Sequence, residues 1–202
     1  MKWIDGQVLF GVTVEKHESP RSNGRPYYPM DPTGIGVIHT TEGSSVAGAL
    51  AILSHNFDAS HFVVGQGRIV QLRPLGAQAA ALHSPQNQYA EIQIECIGFS
   101  QQTVYLFDEP TLKPLAALMA WATENTGIPL QRPSADWKED MSDVKPFPSS
   151  NNSRRTSGVW PNAKGYYGHL EVSDQGPSWH WDPGSLNYTA LFAEVSKLLA
   201  FP

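Results

Sequence analysis

Residues 34–39 read Gly34-Ile35-Gly36-Val37-Ile38-His39. A short apolar run bounded by turn residues is the pattern of a strand buried on both faces, as in a sheet covered by helices. The run stops on a histidine, which is followed by the polar Thr40-Thr41-Glu42-Gly43. A buried strand that ends this way carries its last side chain to the rim of the sheet, where open α/β folds bind ligands.

The flanking sequence supports that reading. Ser44 or Ser45 is placed to cap a helix through VAGALAILSHNF, with Val46, Ala49, Leu50 and Leu53 at helical spacing. His61–Val64 and Arg68–Leu72, joined by Gly65-Gln66-Gly67, read as a hairpin. Ala90–Phe99 (AEIQIECIGF) alternates, with Ile92, Ile94 and Cys96 on one face and Gln93 and Glu95 on the other. Thr111 starts a helix that carries Pro114 in its first turn and ends at Gly127, and a last helix spans Ser185–Leu199, burying Leu191, Val195, Leu198 and Leu199. Upstream, Gln7–Val14 reads as a strand and 16–34 as a loop. Strands alternating with helices predict an α/β fold with a central mixed, mostly parallel sheet flanked by helices. No repeat or long linker divides the chain, so residues 1–202 are expected to form a single domain. The Pro/Ser/Asn/Arg-rich stretch 129–164 is then a surface-loop insertion too polar for the core, with Arg154-Arg155 a solvated pair.

Composition narrows the function classes. At 41% apolar and 16% charged residues the chain is an ordinary soluble globular protein. A formal net charge of −5 argues against nucleic acid as a partner. One cysteine, Cys96, excludes an intramolecular disulfide framework. No apolar run reaches ~18 residues, so no membrane insertion is expected. The opening MKWIDGQVLF lacks a basic region followed by a long apolar one, so synthesis in the cytoplasm without a signal peptide is the expectation. Oligomeric state is not written in the sequence, and a monomer is assumed.

Candidate chemistry gathers at three places. In isolation His39 is better explained as a satisfied core histidine. The C-terminal stretch GHLEVSDQGPSWHWDPG (168–184) reverses that judgement, because it brings His169, His180 and Asp182 into one Gly/Pro/Ser-rich loop. Imidazole and carboxylate are the usual zinc ligands where thiolate is absent, and three protein ligands with a fourth position open is the catalytic pattern. Strand-end His39 with His169 and Asp182 makes such a set. Glu95 is the third place. A lone carboxylate on a central strand needs a cation, a water or a wet cleft beside it, and a zinc hydrolase needs a general base near its attacking water. A wet sheet face is the competing explanation, which Gln93 partly supports. Cys96 falls on the apolar face and reads as core, and His17 and His55 have no partners worth arguing from. Neither HExxH nor GxSxG occurs, and the glycines at 34–36 and 65–67 complete no phosphate-binding fingerprint.

With these positions in hand, the chain resembles the zinc-dependent N-acetylmuramoyl-L-alanine amidases, whose fold is shared with peptidoglycan recognition proteins. The matching stretches are VIHTTEG (37–43), SHFVVGQGRIVQLRPLGAQAAALH (60–83), IQIECIGF (92–99) and GHLEVSDQGPSWHWDPG (168–184), in the family's order. The HWDPG ending is similar to phage endolysins of actinobacterial hosts. The resemblance implies one Zn2+ ion held by His39, His169 and Asp182. It implies Glu95 as the base and His180 as an oxyanion-stabilising donor where many members have lysine. It further implies Glu42 and His83 as substrate-binding residues, although Leu82 stands where the family usually has tryptophan. Trp179 and Trp181 read as substrate-binding groove walls, since aromatic faces suit sugar and peptide contacts, with plain loop packing the alternative. The substrate implied is peptidoglycan or a soluble muropeptide, with action on the cell wall after release from the host cytoplasm. Residues 1–33 match nothing in the family and read as an N-terminal extension. Two rivals stand beside this reading: a peptidoglycan-binding module without catalysis, and a cysteine hydrolase using Cys96.

Overall fold

Every residue of Ile35–Thr40 is buried in the computed structural model, and this strand, β3, lies second from one edge of a seven-stranded sheet. The structure describes residues 1–19, 28–53, 59–145, 152–156, 158–173 and 180–200. In chain order the other sheet strands are β1 (Val8–Leu9), β2 (Val12–Lys16), β4 (Phe62–Gly65), β5 (Arg68–Gln71), β6 (Ile92–Cys96) and β8 (Gly165–Gly168). They are arranged β1-β2-β5-β4-β6-β3-β8. Only the β1–β2 and β4–β5 pairs are antiparallel, so the sheet is mixed and mostly parallel, as the sequence predicts.

Helices cover both faces. α2 (Glu109–Thr126) and α3 (Tyr188–Ala200) pack with Ile38, Phe62, Ile92, Ile94 and Cys96 in the largest apolar cluster. On the opposite face α1 (Val46–Leu53) places Val46 and Ala49 against Val63, Val70 and Leu72. Each Val, Leu, Ile or Phe side chain so withdrawn from water contributes ~1.5–3 kcal/mol. Ser45 is the residue that caps α1, its Oγ accepting the Gly48 N–H at 3.1 Å. Among the described residues no helix is long and apolar enough to cross a membrane.

Several boundaries depart from the sequence reading. The strand expected at Gln7–Val14 is the β1–β2 hairpin, turned at Phe10-Gly11 with φ of 46° and 85°. α2 begins at Glu109, two residues before Thr111, so Pro114 lies in its second turn. The proline leaves the Pro110 carbonyl without its helical donor, and the Gly67 N–H from the β4–β5 turn takes that place at 2.6 Å. At the C-terminus Gly184–Leu186 is a strand, β9, and not the start of the helix. It pairs in parallel with β7 (Gln101–Tyr105), and Asn187 then caps α3 through the Ala190 N–H at 2.8 Å. β7 and β8 had no legible period in the sequence, the first because it is exposed and the second because it is four residues bounded by glycines.

The stretch 129–164 also contributes more than its polarity suggests. Met141 and Val144 pack with Leu170, and Trp160 packs with Ile35, Val37 and Tyr167. Arg154 and Arg155, expected to be solvated, are buried at 4% and 7% exposure because acceptors await them beneath the ligand-bearing loop.

Candidate metal centre and the cavity around it

Strand register performs the first step of assembly. β3 pairs with β6 so that His39 lies opposite Glu95, and with β8 so that Ile38 lies opposite Gly168. His169, one residue beyond β8, enters a single 3-10 turn (His169–Glu171) at the same level. Three residues distant in sequence thus reach one point on the C-terminal edge of the parallel strands, the edge at which α/β sheets bind ligands.

Asp182 reaches that point from the other side of the loop. Its carbonyl accepts the Leu170 N–H at 3.0 Å, and its Oδ2 accepts the Thr40 N–H at 3.4 Å. The small β7–β9 sheet holds the turn that follows: Tyr105 Oη donates to the Pro183 carbonyl at 2.8 Å and Ser185 Oγ to the Gln102 carbonyl at 2.9 Å. Two glycines allow the closeness. A Cβ on Gly168 would meet Pro183 Cδ at 2.7 Å, and Gly184, at φ +74°, lies against the Gln101 carbonyl where no side chain fits. Gly184→Ala is therefore expected to cost ~2 kcal/mol or more, through positive φ and the backbone clash together, and to weaken metal binding by displacing Asp182. Urea unfolding beside a metal titration checks this, and unchanged values in both would contradict it.

The three predicted ligands converge. His39 Nδ1 and His169 Nδ1 are 3.0 Å apart, and Asp182 offers Oδ2 to the first at 3.5 Å and Oδ1 to the second at 3.4 Å. All three residues are buried, and among the described residues they are the one His/Cys/Asp/Glu group of this kind. Tetrahedral zinc with bonds of ~2.1 Å spaces its ligand atoms ~3.4 Å apart, so the donor set fits such an ion. The chemistry agrees, since one shared proton serves two of these atoms and a cation serves all three. Burial and the neighbouring His169 push the His39 imidazole down to about 4, keeping it neutral as a ligand must be. Burial works against the Asp182 carboxylate, but His169, His180 and His39 hold it well below the ordinary carboxylate range.

Around this centre lies a cavity of about 250 Å3, lined among others by Glu42, Ala81, Glu95 and His180. Burial, with the Asp182 and Glu42 carboxylates nearby, lifts the Glu95 carboxyl to about 8. The face is not wet throughout: Gln93 on it is fully buried, while Glu95 is half-buried and opens onto the cavity. Gln93 gives its backbone N–H to His61 Nδ1 at 3.0 Å and its side-chain amide to Asn87 at 3.0 Å. His180 is exposed at the cavity rim. Its ring stacks on His169 at 4.1 Å between centroids, and its Nδ1 lies 3.7 Å from Asp182 Oδ1. Cys96 is buried in the core with its thiol pushed up by burial, which removes the thiolate a cysteine hydrolase requires.

The residues expected to bind substrate are dispersed. Glu42 lines the cavity at φ +48°, with its Oε1 accepting Thr40 Oγ1 at 2.6 Å, the Ser100 N–H at 2.9 Å and Ser100 Oγ at 2.5 Å. His83 is exposed outside the cavity lining, to which Ala81 belongs. Trp181 packs against Met141, Val144 and Leu170. Trp179 lies outside the described residues.

A buried ionic network under the site was not foreseen. Glu171, two residues after the candidate ligand His169, accepts Arg132 and Arg154 at 2.6 Å each through Oε1 and the Gly168 N–H at 2.5 Å through Oε2. Arg154 also forks onto Asp143 at 2.9 and 2.8 Å. Arg155 donates to the carbonyls of Leu170 at 2.8 Å and His180 at 2.6 Å, tying the insertion to both sides of the ligand loop. The one signal in the sequence was an unmatched acid beside a ligand, with arginines in a stretch read as loop.

The N-acetylmuramoyl-L-alanine amidase family model matches residues 29–185. Among solved structures the chain is similar to the Staphylococcus aureus hydrolase AmiA in complex with its ligand, at 16% identity and a TM-score of 0.61, covering 93% of this chain and 83% of that one. It is also similar to two amidases of Clostridium intestinale. For the endolysin LysCS the identity is 13% and the TM-score 0.55, over 91% and 95% of the two chains. For LysC they are 14% and 0.54, over 91% and 97%. At these identities the likeness speaks for the fold alone. No curated protein matches the sequence. The family match spans the strand that ends in His39, the loop that carries His169 and Asp182, and Glu95 between them: the chain belongs to the N-acetylmuramoyl-L-alanine amidase family.

Proposed function

We propose that this protein is a zinc amidase that hydrolyses the bond between the lactyl group of N-acetylmuramic acid and the L-alanine of the peptidoglycan stem, acting as one catalytic domain over residues 1–202. The observation that carries the reading is the buried convergence of His39, His169 and Asp182 at the mouth of a cavity that also holds Glu95. His39, His169 and Asp182 would hold the ion, which supplies Lewis-acid polarisation of the amide carbonyl and an acidified water near neutral pH.

The chain's own residues do the rest. Glu95 takes the proton of the attacking water and returns it to the amide nitrogen as the C–N bond breaks, leaving a muramoyl carboxylate and a free alanine amino group. In the metal-free fold burial and the neighbouring carboxylates hold its carboxyl high, and a bound cation would bring it down toward the working pH, where it can accept and release a proton. His180, at the cavity rim beside His169, donates a hydrogen bond to the developing oxyanion. His180→Ala is expected to keep the metal and lose ~10²–10³-fold in turnover. Parallel loss of metal, read by elemental analysis, would make His180 a ligand instead. The HWDPG ending favours an endolysin role, with synthesis in a host cytoplasm and action on the wall after release.

The direct test is the appearance of free L-alanine amino termini in purified peptidoglycan, with and without a chelator. Termini that vanish with chelator and return with zinc support the reading. Bound zinc without release from sacculi or muropeptides would move the assignment to a recognition module.

A further inference from the structure

A second groove, about 600 Å3, opens beside the catalytic cavity. Its walls are Gly43-Ser44 at the start of α1, Phe99 and Gln101 leading into β7, Gln66 of the β4–β5 turn, and Asp108 ahead of α2. The two spaces share one rib. Glu42 lines the cavity and Gly43 lines the groove, while Ser100, which binds the Glu42 carboxylate, lies between Phe99 and Gln101. Gly43 and Gly98 bridge the same two segments through paired backbone hydrogen bonds of 3.2 and 2.9 Å. A non-glycine residue held at positive φ by three donors is a position built by its surroundings, and Glu42 is such a residue.

Size and position make the groove available, because it is the space that shares a wall with the catalytic cavity. The 250 Å3 cavity falls short of the ~300–1,000 Å3 usual for ligand clefts, and the groove falls within that range. Its chemistry argues what it takes. Phe99 is 53% exposed, Gln66 and Gln101 line the same groove, with Gln66 Oε1 accepting the Val46 N–H at 2.9 Å, and Asp108 is the one charged lining residue. Ring face, amides and no cation suit an uncharged N-acetylated sugar. A stem peptide brings carboxylates that no lysine or arginine of the groove meets, whereas the glycan next to the scissile amide brings only neutral hydroxyls and acetamides. We infer that this groove is a glycan subsite: with the scissile amide in the catalytic cavity, the strand crosses the Glu42–Ser100 rib and lays a neighbouring N-acetylhexosamine on Phe99. The inference rests on the amidase reading above.

The test compares kcat/KM on a muramoyl peptide carrying one sugar with that on the same peptide carried by a tetrasaccharide. In the wild type the longer glycan is the better substrate. In Phe99→Ala the preference ratio falls by about tenfold, the size expected for loss of one aromatic anchor, and Phe99→Trp restores it. A ratio unchanged in Phe99→Ala overturns the subsite. A ratio that shifts with stem-peptide length instead assigns the groove to the peptide and overturns it as well. Hydrolysis of neither substrate by the zinc-loaded wild type removes the amidase reading itself, and the subsite falls with it.

Discussion

Glu171→Ala should lower the unfolding free energy by about 3–5 kcal/mol and strip the site of its metal, though Glu171 is no ligand. The carboxylate is fully buried between two arginines. Removing it leaves the Arg154 guanidinium, 4% exposed, with one acceptor fewer in a medium that solvates charge poorly. Arg132, stacked at 3.6 Å over the Tyr188 ring, loses its ionic partner at the same time. The Gly168 N–H loses its acceptor too, and Gly168 is the residue whose contact with Pro183 brings His169 and Asp182 together. The damage therefore reaches the metal centre through the turn His169–Glu171. Glu171→Gln keeps the shape and one acceptor oxygen but not the charge, and should fall between wild type and alanine. Urea unfolding at matched metal concentration reads the stability, and the zinc dissociation constant reads the site. Stability lost with metal affinity intact would show that the network supports the insertion but not the ligands.

What was legible in the sequence follows from how locally each feature is determined. β3 and β6 announce themselves because burial on one or both faces writes a period into consecutive residues: all of Ile35–Thr40 is buried, and Ile92, Ile94 and Cys96 share one face. His39 was readable as a rim residue because it ends such a strand. Pairing His39 with His169 and Asp182 needed more. The register that sets Ile38 opposite Gly168 joins strands far apart in the sequence, and β8 is too short to show a period. Residue chemistry offered the set and the family's motifs implied the same one, and the convergence of the three side chains agrees with it. The 129–164 stretch was misjudged for a different reason. Polarity was taken as a sign of exposure, yet Arg154 and Arg155 are buried because carboxylate and carbonyl acceptors are presented to them by Asp143, Glu171, Leu170 and His180. No local pattern encodes an acceptor contributed from elsewhere in the chain. The start of α2 is different, because a local signal marks it: Asp108 stands at the N-cap position and Pro110 in the first turn.

Glu95→Gln separates chemistry from stability, and the two effects should have opposite signs. If Glu95 moves the proton as proposed above, an amide, which neither accepts nor releases one, cannot replace it, and turnover should fall by ~10²–10⁴-fold while the variant still takes up zinc. The same change should stabilise the metal-free protein at alkaline pH. Burial and the Asp182 and Glu42 carboxylates raise Glu95 from its ordinary 4.5 to about 8, so the folded state binds the proton more tightly than the unfolded chain. The stability this lends is complete below pH 4.5 and is lost as pH rises toward 8. At ~1.4 kcal/mol per unit, the loss is on the order of 2–4 kcal/mol once relaxation of the site is allowed for. Glutamine carries no such proton, so the chelated variant should show a flatter stability profile than the wild type between pH 5 and 8 and a higher urea midpoint at the alkaline end. Zinc should shrink the difference, because a cation beside Asp182 cancels part of the repulsion that lifts Glu95. Parallel profiles would mean that Glu95 is already ionised in the apo fold. A variant that kept full turnover would remove Glu95 from the proton transfer and leave the attacking water to be activated by the metal centre alone.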